Sequence, residues 1–553
     1  MNKRKILYLT CAIAVAGTAV TVARSTKTDM ARNLGIFNEV YKELQTNYVD
    51  TLDATKTMRT AIDALLGQID PYTEYYPQSE QEEITSISSG EYAGIGSVIM
   101  QRDSTIVLSE PRWDSPARKA GIRHGDILLE IDGDTITSKY TTKAASARLK
   151  GQPGTEVRLK VKRPYVSDSI LEFTVTRGTI AIDPVPYYGM LDESTGYIDI
   201  TTFSEKTAGA FKDALNALRK NPSFKSLVID LRDNGGGLLE SAVQVASNFV
   251  PKGTEIVSTR GRDARNIKTY KTTSNPVDLK LPIVVLVNGN SASSAEILSG
   301  ALQDLDRAVI VGQRSYGKGL VQNIRPVPFG GIMKVTTGRY YIPSGRLVQA
   351  IDYSHRDADG NVTRIPDSLT NVYHTKAGRE VRDGGGITPD VKVEQAKINR
   401  LLYNIISDFW AYDFATKFVN TTDKIGDPQT WTVPDTLFTQ FKASIDPKRF
   451  KYDRATESGI KFLREAAEIE GYMTDNVKAQ LDTLEQLMRH DLQKDLDFNR
   501  KEIVEILNDE ISGRWFSDAD NIRRALPEQP EIKEALNILA DPKRYGALLS
   551  VKK

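Results

Sequence analysis

Three segments of the chain place glycine, serine and lysine where apolar runs end. They are the glycine turn at residues 233–237, the serine-rich loop at 288–294 and the lysine loop at 313–319. A glycine run that opens a helix presents backbone N–H groups to negative charge and could form an oxyanion hole. A serine at a strand-to-helix turn resembles a nucleophile, and a desolvated lysine can act as its base. Together the segments indicate acyl transfer by a serine–lysine pair.

The elements that must position these loops form the pattern of a parallel α/β sheet. The apolar runs Leu227–Leu231, Ile283–Val287 and Ala308–Val311 predict buried strands, and Leu238–Val250 and Ser294–Leu305 predict the helices that alternate with them. Both strands of a βαβ unit point the same way, so the loops that follow them lie at one edge, where open α/β sheets bind ligands. We therefore expect the three loops to converge.

The same residues also have purely structural explanations. Ser293-Ser294-Ala295-Glu296 fits the capping box S-x-x-E, so Ser293 could simply cap a helix. Gly235–Gly237 could bind phosphate or only make a turn, and Lys318 could be a solvated loop charge. The expected convergence at the strand ends is the argument for catalysis.

The composition restricts the remaining function classes. The chain has 553 residues, enough for three or four domains, and its net charge of +1 gives no electrostatic case for nucleic acid. The single cysteine, Cys11, excludes an intramolecular disulfide and argues against cysteine-rich zinc or iron–sulfur sites. With four histidines, histidine-based catalysis is not favoured.

The N-terminus, residues 1–26, has the pattern of an export segment. Basic residues at positions 3–5 precede an uncharged run at 6–23, which is typical of a secretory signal and also approaches the length of a spanning helix. A cleaved signal and a membrane anchor therefore both remain open, whereas lipidation of Cys11 and a buried core helix fit less well. An exported part without thiols suits an oxidising envelope compartment, periplasmic or facing the periplasm.

Four further regions follow along the chain. Residues 27–89 are expected to be helical, 90–178 to form a small β-rich domain, 179–395 the α/β core and 396–553 a charged, helical region. For the β-rich domain, the sequence predicts strands at Gly96–Met100, Thr105–Leu108, Ile127–Ile131, Val157–Val161 and Glu172–Thr176, and helices at Ser115–Ala120 and Thr141–Leu149.

The order of these segments resembles the C-terminal processing peptidases of family S41, which are Ser–Lys endoproteases with an inserted PDZ domain. The resemblance covers about residues 36–393, and its motifs are GIG at 94–96, LRDNGGG at 231–237, NSASSAE at 290–296 and YGKGLVQ at 316–322. It implies a multidomain α/β fold, with a crotonase/ClpP-like protease core, a β-rich PDZ domain and helical N- and C-terminal regions.

The resemblance assigns roles by motif register. It implies that Ser293 is the nucleophile, that Lys318 is the general base and that Gln322 orients the lysine. The choice of Ser293 over Ser291 rests on that register alone. No metal or organic cofactor is needed for this chemistry.

The same register implies that the backbone N–H groups of Gly236 and Ser294 form the oxyanion hole. Gly235 stands where the family has proline, which loosens the turn, and Ser294-Ala295 reverses the family's Ala-Ser order. Neither departure removes a required group.

The segment Tyr92-Ala93-Gly94-Ile95-Gly96 resembles the carboxylate-binding loop of the family's PDZ domain. The resemblance implies that Gly94, Ile95 and Gly96 bind the C-terminus of a polypeptide, which adds as a strand beside Gly96–Met100. As a lone motif, GIG could also be only a tight turn. The implied partners are polypeptide substrates with exposed C-termini.

The expected function is therefore peptide-bond hydrolysis, for which three alternatives remain. A PDZ-bearing Ser–His–Asp protease would need GNSGG, but Ala292-Ser293 follows Gly289-Asn290-Ser291. A noncatalytic peptide-binding scaffold would leave the joint presence of serine, lysine and glutamine unexplained, and acyl-CoA chemistry would leave the PDZ domain unexplained. The helices of 396–553 could dimerise, dock a partner or merely pack, and the preferred expectation is that they form homo-oligomers or act as a scaffold.

Overall fold

The computed structural model describes residues 29–166, 170–263, 265, 267–357, 361–394, 399–422, 424–452 and 454–551. The predicted export segment at residues 1–26, with Cys11, lies outside these residues. The chain divides into two compact units, of which the first includes the residues up to Gln78 and Gln322–Thr336 and the second includes Ser79–Val321 and the residues from Thr337 onward. Within the described ranges, no helix combines the length and apolar character that a bilayer crossing requires.

Helices and one short strand make up the N-terminal part: α1 (29–47), α2 (Ala54–Gly67), β1 (Glu74–Tyr76) and α3 (Gln81–Ser89). Helix α2 begins after Asp53, whose carboxylate accepts the Lys56 N–H at 2.9 Å as an N-cap. Helix α1 keeps apolar side chains such as Phe37 and Val40 largely exposed.

The β-rich domain is an antiparallel sheet closed by two short helices, in sheet order β3-β4-β5-β7-β8. Its side chains alternate between core and solvent along the strands, and Val157, Leu159 and Val161 face inward from β7. The predicted strands and both predicted helices are confirmed. The elements are β2 (Glu91–Gly94), β3 (Ser97–Arg102), β4 (Thr105–Pro111), α4 (Pro116–Lys119), β5 (Asp126–Ile131), β6 (Asp134–Thr135), α5 (Thr142–Leu149), β7 (Glu156–Lys162), β8 (Ile170–Thr176) and β9 (Gly178–Ala181).

The α/β region is built on a sheet of order β10-β11-β12-β15-β16-β23, parallel except for β10. Its elements are β10 (Tyr188–Met190), β11 (Thr195–Asp199), α6 (Thr207–Leu218), β12 (Ser226–Asp230), α7 (Leu239–Ala246), β13 (Glu255–Gly261), β14 (Ile267–Lys271), β15 (Ile283–Val287), α8 (Ser294–Asp304), β16 (Val309–Gly312), β17 (Leu320–Pro326), β18 (Ile332–Tyr341), β19 (Ile351–Arg356), β20 (Val362–Arg364), β21 (Val372–His374), β22 (Glu380–Arg382) and β23 (Val391–Lys392). Strands β12 and β15 are buried on both faces, which explains why β15 is wholly apolar and why Leu227–Ile229 of β12 are apolar. The predicted parallel sheet is confirmed.

The C-terminal region is helical and has a hydrophobic core of its own around Leu402, Phe441 and Leu507. Its helices are α9 (Arg400–Ser407), α10 (Trp410–Thr421), α11 (Asp435–Ser444), α12 (Ala455–Ile469), α13 (Asp475–Leu487), α14 (Leu492–Phe498), α15 (Arg500–Trp515), α16 (Asp518–Ala525), α17 (Pro530–Leu539) and α18 (Pro542–Leu548).

Helix α17 packs on the α/β sheet, an arrangement that the sequence did not indicate. Helices α6, α7 and α8 pack on one face of the sheet. Ile532 and Ile538 of α17 pack on the opposite face, against Val228 and Val284. The C-terminal region therefore completes the core of the α/β domain.

Candidate active site

Ser293 occupies the sharp turn between β15 and α8. Its backbone has φ 56° and ψ −114°, a conformation that residues other than glycine adopt only at an energetic cost. Helix α8 begins with the next residue, so the Ser294 N–H is one of the amide groups that a helix start leaves without an intrahelical acceptor. This strained strand-to-helix geometry is typical of an exposed nucleophile.

The glycine turn and the serine-rich loop lie against each other. The Ala292 N–H donates to the Asn234 carbonyl oxygen at 2.9 Å. A Cβ atom on Gly236, which has φ +101°, would lie 2.7 Å from the Ser293 Cβ and 3.0 Å from the Ser294 nitrogen. Glycine is therefore required at position 236, and the predicted convergence of these two loops is confirmed.

The Gly236 N–H, one of the two predicted oxyanion donors, already has a partner. It donates at 2.8 Å to Oδ1 of Asn234, which is fully buried and anchored through its Nδ2 to the Ile200 carbonyl at 2.6 Å. In this structure the N–H is directed at Asn234, so binding of an oxyanion there requires an exchange of partners. Asn234 was missed in the sequence, although an asparagine two residues before a glycine is typical of a side-chain-closed turn.

Glu296 joins the serine and lysine loops. Its Oε2 accepts the Ser293 N–H at 2.9 Å and the Lys318 N–H at 2.8 Å, while its Oε1 accepts the Gly317 N–H at 2.8 Å and the Ser315 hydroxyl. The side chain is fully buried, and burial raises its pKa to about 7 against the opposing effect of these hydrogen bonds. The sequence identified Glu296 only as part of a capping box, a role that accounts for one of its four bonds.

Tyr340, on β18, contacts the backbone carbonyl groups of Ser293 and Lys318, the two residues whose N–H groups bind Glu296. Its hydroxyl lies 3.2 Å from the Ser293 carbonyl oxygen and also donates toward the Lys318 carbonyl oxygen. The side chain is only 1 % exposed, and its own N–H donates to the Gly319 carbonyl at 3.0 Å. No motif in the sequence indicated this tyrosine.

The glycines on either side of Lys318 admit a neighbouring segment at residues 349–350. A Cβ atom on Gly317 would lie 2.3 Å from the Ala350 Cβ, and one on Gly319 would lie 2.7 Å from the Gln349 nitrogen. The Gly319 N–H also donates to Gln349 Oε1 at 2.7 Å. Close backbone approach therefore explains the G-K-G pattern and fixes the loop that carries Lys318.

Gln322 belongs to the first compact unit, where its Nε2 donates to Thr336 Oγ1 at 3.1 Å. The Thr336 N–H donates in turn to Thr73 Oγ1 at 3.2 Å. The expected role of Gln322 at the lysine remains a prediction.

A buried charge cluster anchors the strand that leads into the glycine turn. Asp230 accepts hydrogen bonds from the Arg232 guanidinium and, at 2.8 Å, from the Tyr197 hydroxyl, and Arg232 reaches Glu531 of α17 at 3.1 Å. Burial, with a further contribution from Asp230, raises the pKa of Asp199 to about 7. The C-terminal region thus contacts the segment that precedes the candidate oxyanion turn.

A second candidate site lies in the β-rich domain. Gly94, Ile95 and Gly96 line a cavity of about 290 Å³ between β3 and the end of α5. The Ile95 carbonyl accepts the Ala117 N–H and the Gly96 carbonyl accepts the Arg112 N–H, both at 2.9 Å. A Cβ atom on Gly96 would lie 2.6 Å from the Ser115 Cβ, so this position has no room for a side chain. The predicted peptide-binding residues are therefore brought together in a fixed loop beside the edge of β3.

Among the described residues, no group of three or more histidine, cysteine, aspartate or glutamate side chains is arranged to hold a metal ion.

Comparisons with known proteins agree with this architecture. The model of peptidase family S41 matches residues 194–354, a PDZ domain model matches 108–163, and the model described as "Probable PDZ-protease, C-terminal helical domain" matches 401–539. A carboxy-terminal-processing protease of Bartonella bacilliformis is 34 % identical over 355 residues, which cover 63 % of this chain and 81 % of that protein. The chain belongs to peptidase family S41, in the group of carboxy-terminal-processing serine proteases with a PDZ domain.

The comparisons give two further similar proteins. A probable CtpA-like serine protease of Staphylococcus haemolyticus is 30 % identical over 414 residues, which cover 74 % of this chain and 80 % of that protein. Among solved structures, a photosystem II D1 C-terminal processing protease aligns with 25 % identity and a TM-score of 0.36, over 64 % of this chain and 86 % of that chain.

Proposed function

We propose that this serine peptidase cleaves polypeptides with a Ser293–Lys318 pair and recognises their C-termini through its PDZ domain. The observation that carries the proposal is the shared carboxylate of Glu296, which receives the backbone N–H groups of both residues. A nucleophile and a base that lie far apart in sequence are thereby held in neighbouring loops. The strained backbone of Ser293 further supports its assignment as the nucleophile.

In the proposed mechanism, the neutral Lys318 amine takes the proton of Ser293 Oγ as that oxygen attacks the scissile carbonyl carbon. The oxyanion that forms is stabilised by the Ser294 N–H and by the Gly236 N–H once Asn234 has released it. Collapse of the intermediate breaks the peptide bond, and the lysine returns the proton to the leaving amine. Water then attacks the acyl-enzyme, with Lys318 again as the base and Gln322 as its orienting partner.

The PDZ domain would hold the C-terminus of the substrate. A peptide strand beside β3 would bring its terminal carboxylate to the loop of Gly94, Ile95 and Gly96. The fixed carbonyl groups of this loop leave its geometry preformed, which lowers the entropic cost of binding.

The remaining predictions complete the proposal. The core would share the crotonase/ClpP-like arrangement, and the protein would act in the cell envelope, exported or anchored through residues 6–23. The C-terminal helices would also support homo-oligomers. Several large apolar side chains of α12 and α13, including Phe462 and Leu487, are exposed and compatible with that role.

The test compares Ser293→Ala and Lys318→Ala with the parent protein on an unfolded polypeptide, with cleavage followed by mass spectrometry. Both variants should lose cleavage while they keep the thermal unfolding midpoint of the parent and bind the substrate C-terminus. Ser223→Ala, which alters an exposed serine, is the control. Full activity of Ser293→Ala would overturn the assignment, and binding without cleavage by the parent would favour a scaffold.

A further inference from the structure

A cavity lies between the PDZ domain and the C-terminal helices, separate from the peptide groove and from Ser293. It has a volume of about 350 Å³ and lies beside α4, the loop that follows α4, and the C-terminal ends of α10 and α15. We call it the arginine cavity, because Arg118, Arg123 and Arg514 line it. His124, Asn420 and Trp515 are also among its lining residues. The proposed protease mechanism uses none of them.

Two of its arginines are held in place by protein contacts. Arg118 stacks on Trp113 at 3.7 Å and donates to the Arg514 carbonyl oxygen at 2.9 Å. Arg514 is 6 % exposed and pairs with Glu510 at 2.8 Å, and its Nε is buried without a hydrogen-bond partner among the described residues. Its other nitrogens donate to Glu510, to the Tyr412 carbonyl oxygen and to Thr416 Oγ1. A buried donor without an acceptor is costly, which leaves Nε as the one unsatisfied donor of this guanidinium within the described chain.

The third arginine, Arg123, is exposed at the rim. Its backbone N–H donates to Asp126 at 2.9 Å, and its guanidinium makes no hydrogen bond or ion pair within the described chain. It therefore offers a cation that does not have to leave a protein partner in order to bind a ligand.

The charged side chains that line the cavity are all arginines. Burial, with Arg514 and Arg118, lowers the pKa of His124 to about 3, so the imidazole is neutral at physiological pH and the charges that it senses are positive. Acidic groups do lie nearby: Glu510 pairs with Arg514, Asp518 acts on Arg118, and Glu110 also interacts with Arg514. No acidic residue is among those that line the cavity.

We propose that the arginine cavity binds a small, multiply charged oxyanion and thereby strengthens the contact between the PDZ domain and the C-terminal helices. Guanidinium groups donate two parallel N–H bonds to phosphate-like or carboxylate oxygens, and three of them surround this space. The loop at Gly121–His124 and the end of α15 would share the ligand, which would add to the direct contacts between the two regions, such as those of Arg102 with Asp413 and of Asn420 with the Pro164 carbonyl oxygen.

Binding is tested on the full chain with Ser293→Ala, titrated with inorganic phosphate at constant ionic strength and followed by calorimetry. Phosphate should bind at one site, and hydrogen exchange should slow at residues 118–124 and 514–516. Arg123→Gln should weaken binding about tenfold, as expected for the loss of one charge-assisted hydrogen bond. Arg219→Gln, at an exposed arginine of the α/β domain, should bind like the parent.

Three outcomes would overturn the proposal: no heat of binding at millimolar phosphate, equal affinity in Arg123→Gln and Arg219→Gln, or protection confined to other segments. A second titration with citrate distinguishes a phosphate site from a carboxylate site, because a carboxylate site would bind citrate more tightly than phosphate. Each measurement is independent of cleavage, so failure of the protease assignment leaves this test intact.

Discussion

Ser293 and Lys318 donate their backbone N–H groups to one and the same carboxylate oxygen, Oε2 of Glu296, at 2.9 and 2.8 Å. The backbone carbonyl oxygens of the same two residues are contacted by the Tyr340 hydroxyl. A displacement of either residue therefore breaks bonds that also position the other. The separation of the proposed nucleophile and base is thus set by two side chains that take no proton in the proposed reaction.

Glu296→Gln should reduce kcat about 10- to 100-fold. The amide nitrogen cannot accept a hydrogen bond, so donors that now meet a carboxylate oxygen are left unsatisfied at about 1–3 kcal/mol each. Steady-state kinetics on a peptide substrate, with the thermal unfolding midpoint measured in parallel, provide the check. Glu240→Gln, at an exposed position of α7, is the control, and an unchanged kcat in Glu296→Gln would refute the role of the shared carboxylate.

Tyr340→Phe removes only the hydroxyl and should lower kcat about fivefold with little change in KM. One hydrogen bond of this kind contributes about 1 kcal/mol, and the aromatic ring that fills the core is retained. Tyr341→Phe, at the adjacent position, is a matched control because it also removes only a hydroxyl. The Tyr341 ring, on which Arg260 stacks at 4.1 Å, is retained. If both variants lost the same activity, the effect would not come from the contacts of the Tyr340 hydroxyl.

Two adjacent glycines should respond differently to alanine. A methyl group on Gly236 would lie 2.7 Å from the Ser293 Cβ at a backbone φ of +101°, whereas one on Gly235 would meet nothing within 4 Å. Gly236→Ala should therefore abolish cleavage, and Gly235→Ala should keep at least half of the parent activity. Initial rates at saturating substrate decide the point, and an active Gly236→Ala would contradict the packing of the turn against the serine.

Asp304→Asn should destabilise the protein strongly. Asp304 and Arg346 form an ion pair at 2.9 Å, with side chains 0 % and 1 % exposed. Loss of one partner leaves a buried, uncompensated charge, at a cost of about 3–5 kcal/mol. Chemical unfolding measures this loss, and Asp263→Asn, in the exposed pair with Arg265, should leave the midpoint unchanged.

Asp199→Asn should change the pH dependence of stability. Burial raises the pKa of Asp199 from 3.8 to about 7, so the folded protein binds more protons than the unfolded chain between these pH values. The contribution of this group to the free energy of unfolding therefore falls as pH rises through that window. The difference in unfolding free energy between variant and parent should increase from about pH 4 to pH 7 in favour of the variant. Above pH 7 this difference should stay constant, as measured by urea unfolding. Asp213→Asn, on the exposed face of α6, controls for charge removal, and a constant difference for Asp199→Asn would contradict the shift.

The sequence was sufficient for features that depend on local pattern. Strands β12 and β15 are buried on both faces, so β15 is wholly apolar and β12 is apolar between Ser226 and Asp230. Their parallel direction followed from the intervening helix. From that parallel order alone, the meeting of the glycine turn with Ser293 could be predicted.

Features that depend on tertiary contact could not be predicted in this way. Tyr340 lies on a strand of mixed burial, where nothing local distinguishes it from Tyr341. The commitment of the Gly236 N–H to Asn234 depends on the buried anchor at Ile200, on another strand end. Likewise, the amphipathic α17 indicates that one face is buried, but not that the partner is a sheet more than 200 residues away.

The packing of α17 on the sheet has a consequence for biosynthesis. Val228 and Val284 leave the ribosome long before Ile532 and Ile538, which cover them. During translation, one face of the sheet therefore stays without its final cover until α17 has been made. The core of the α/β domain therefore cannot be completed while β12 and β15 are newly made, but only after α17 has followed them.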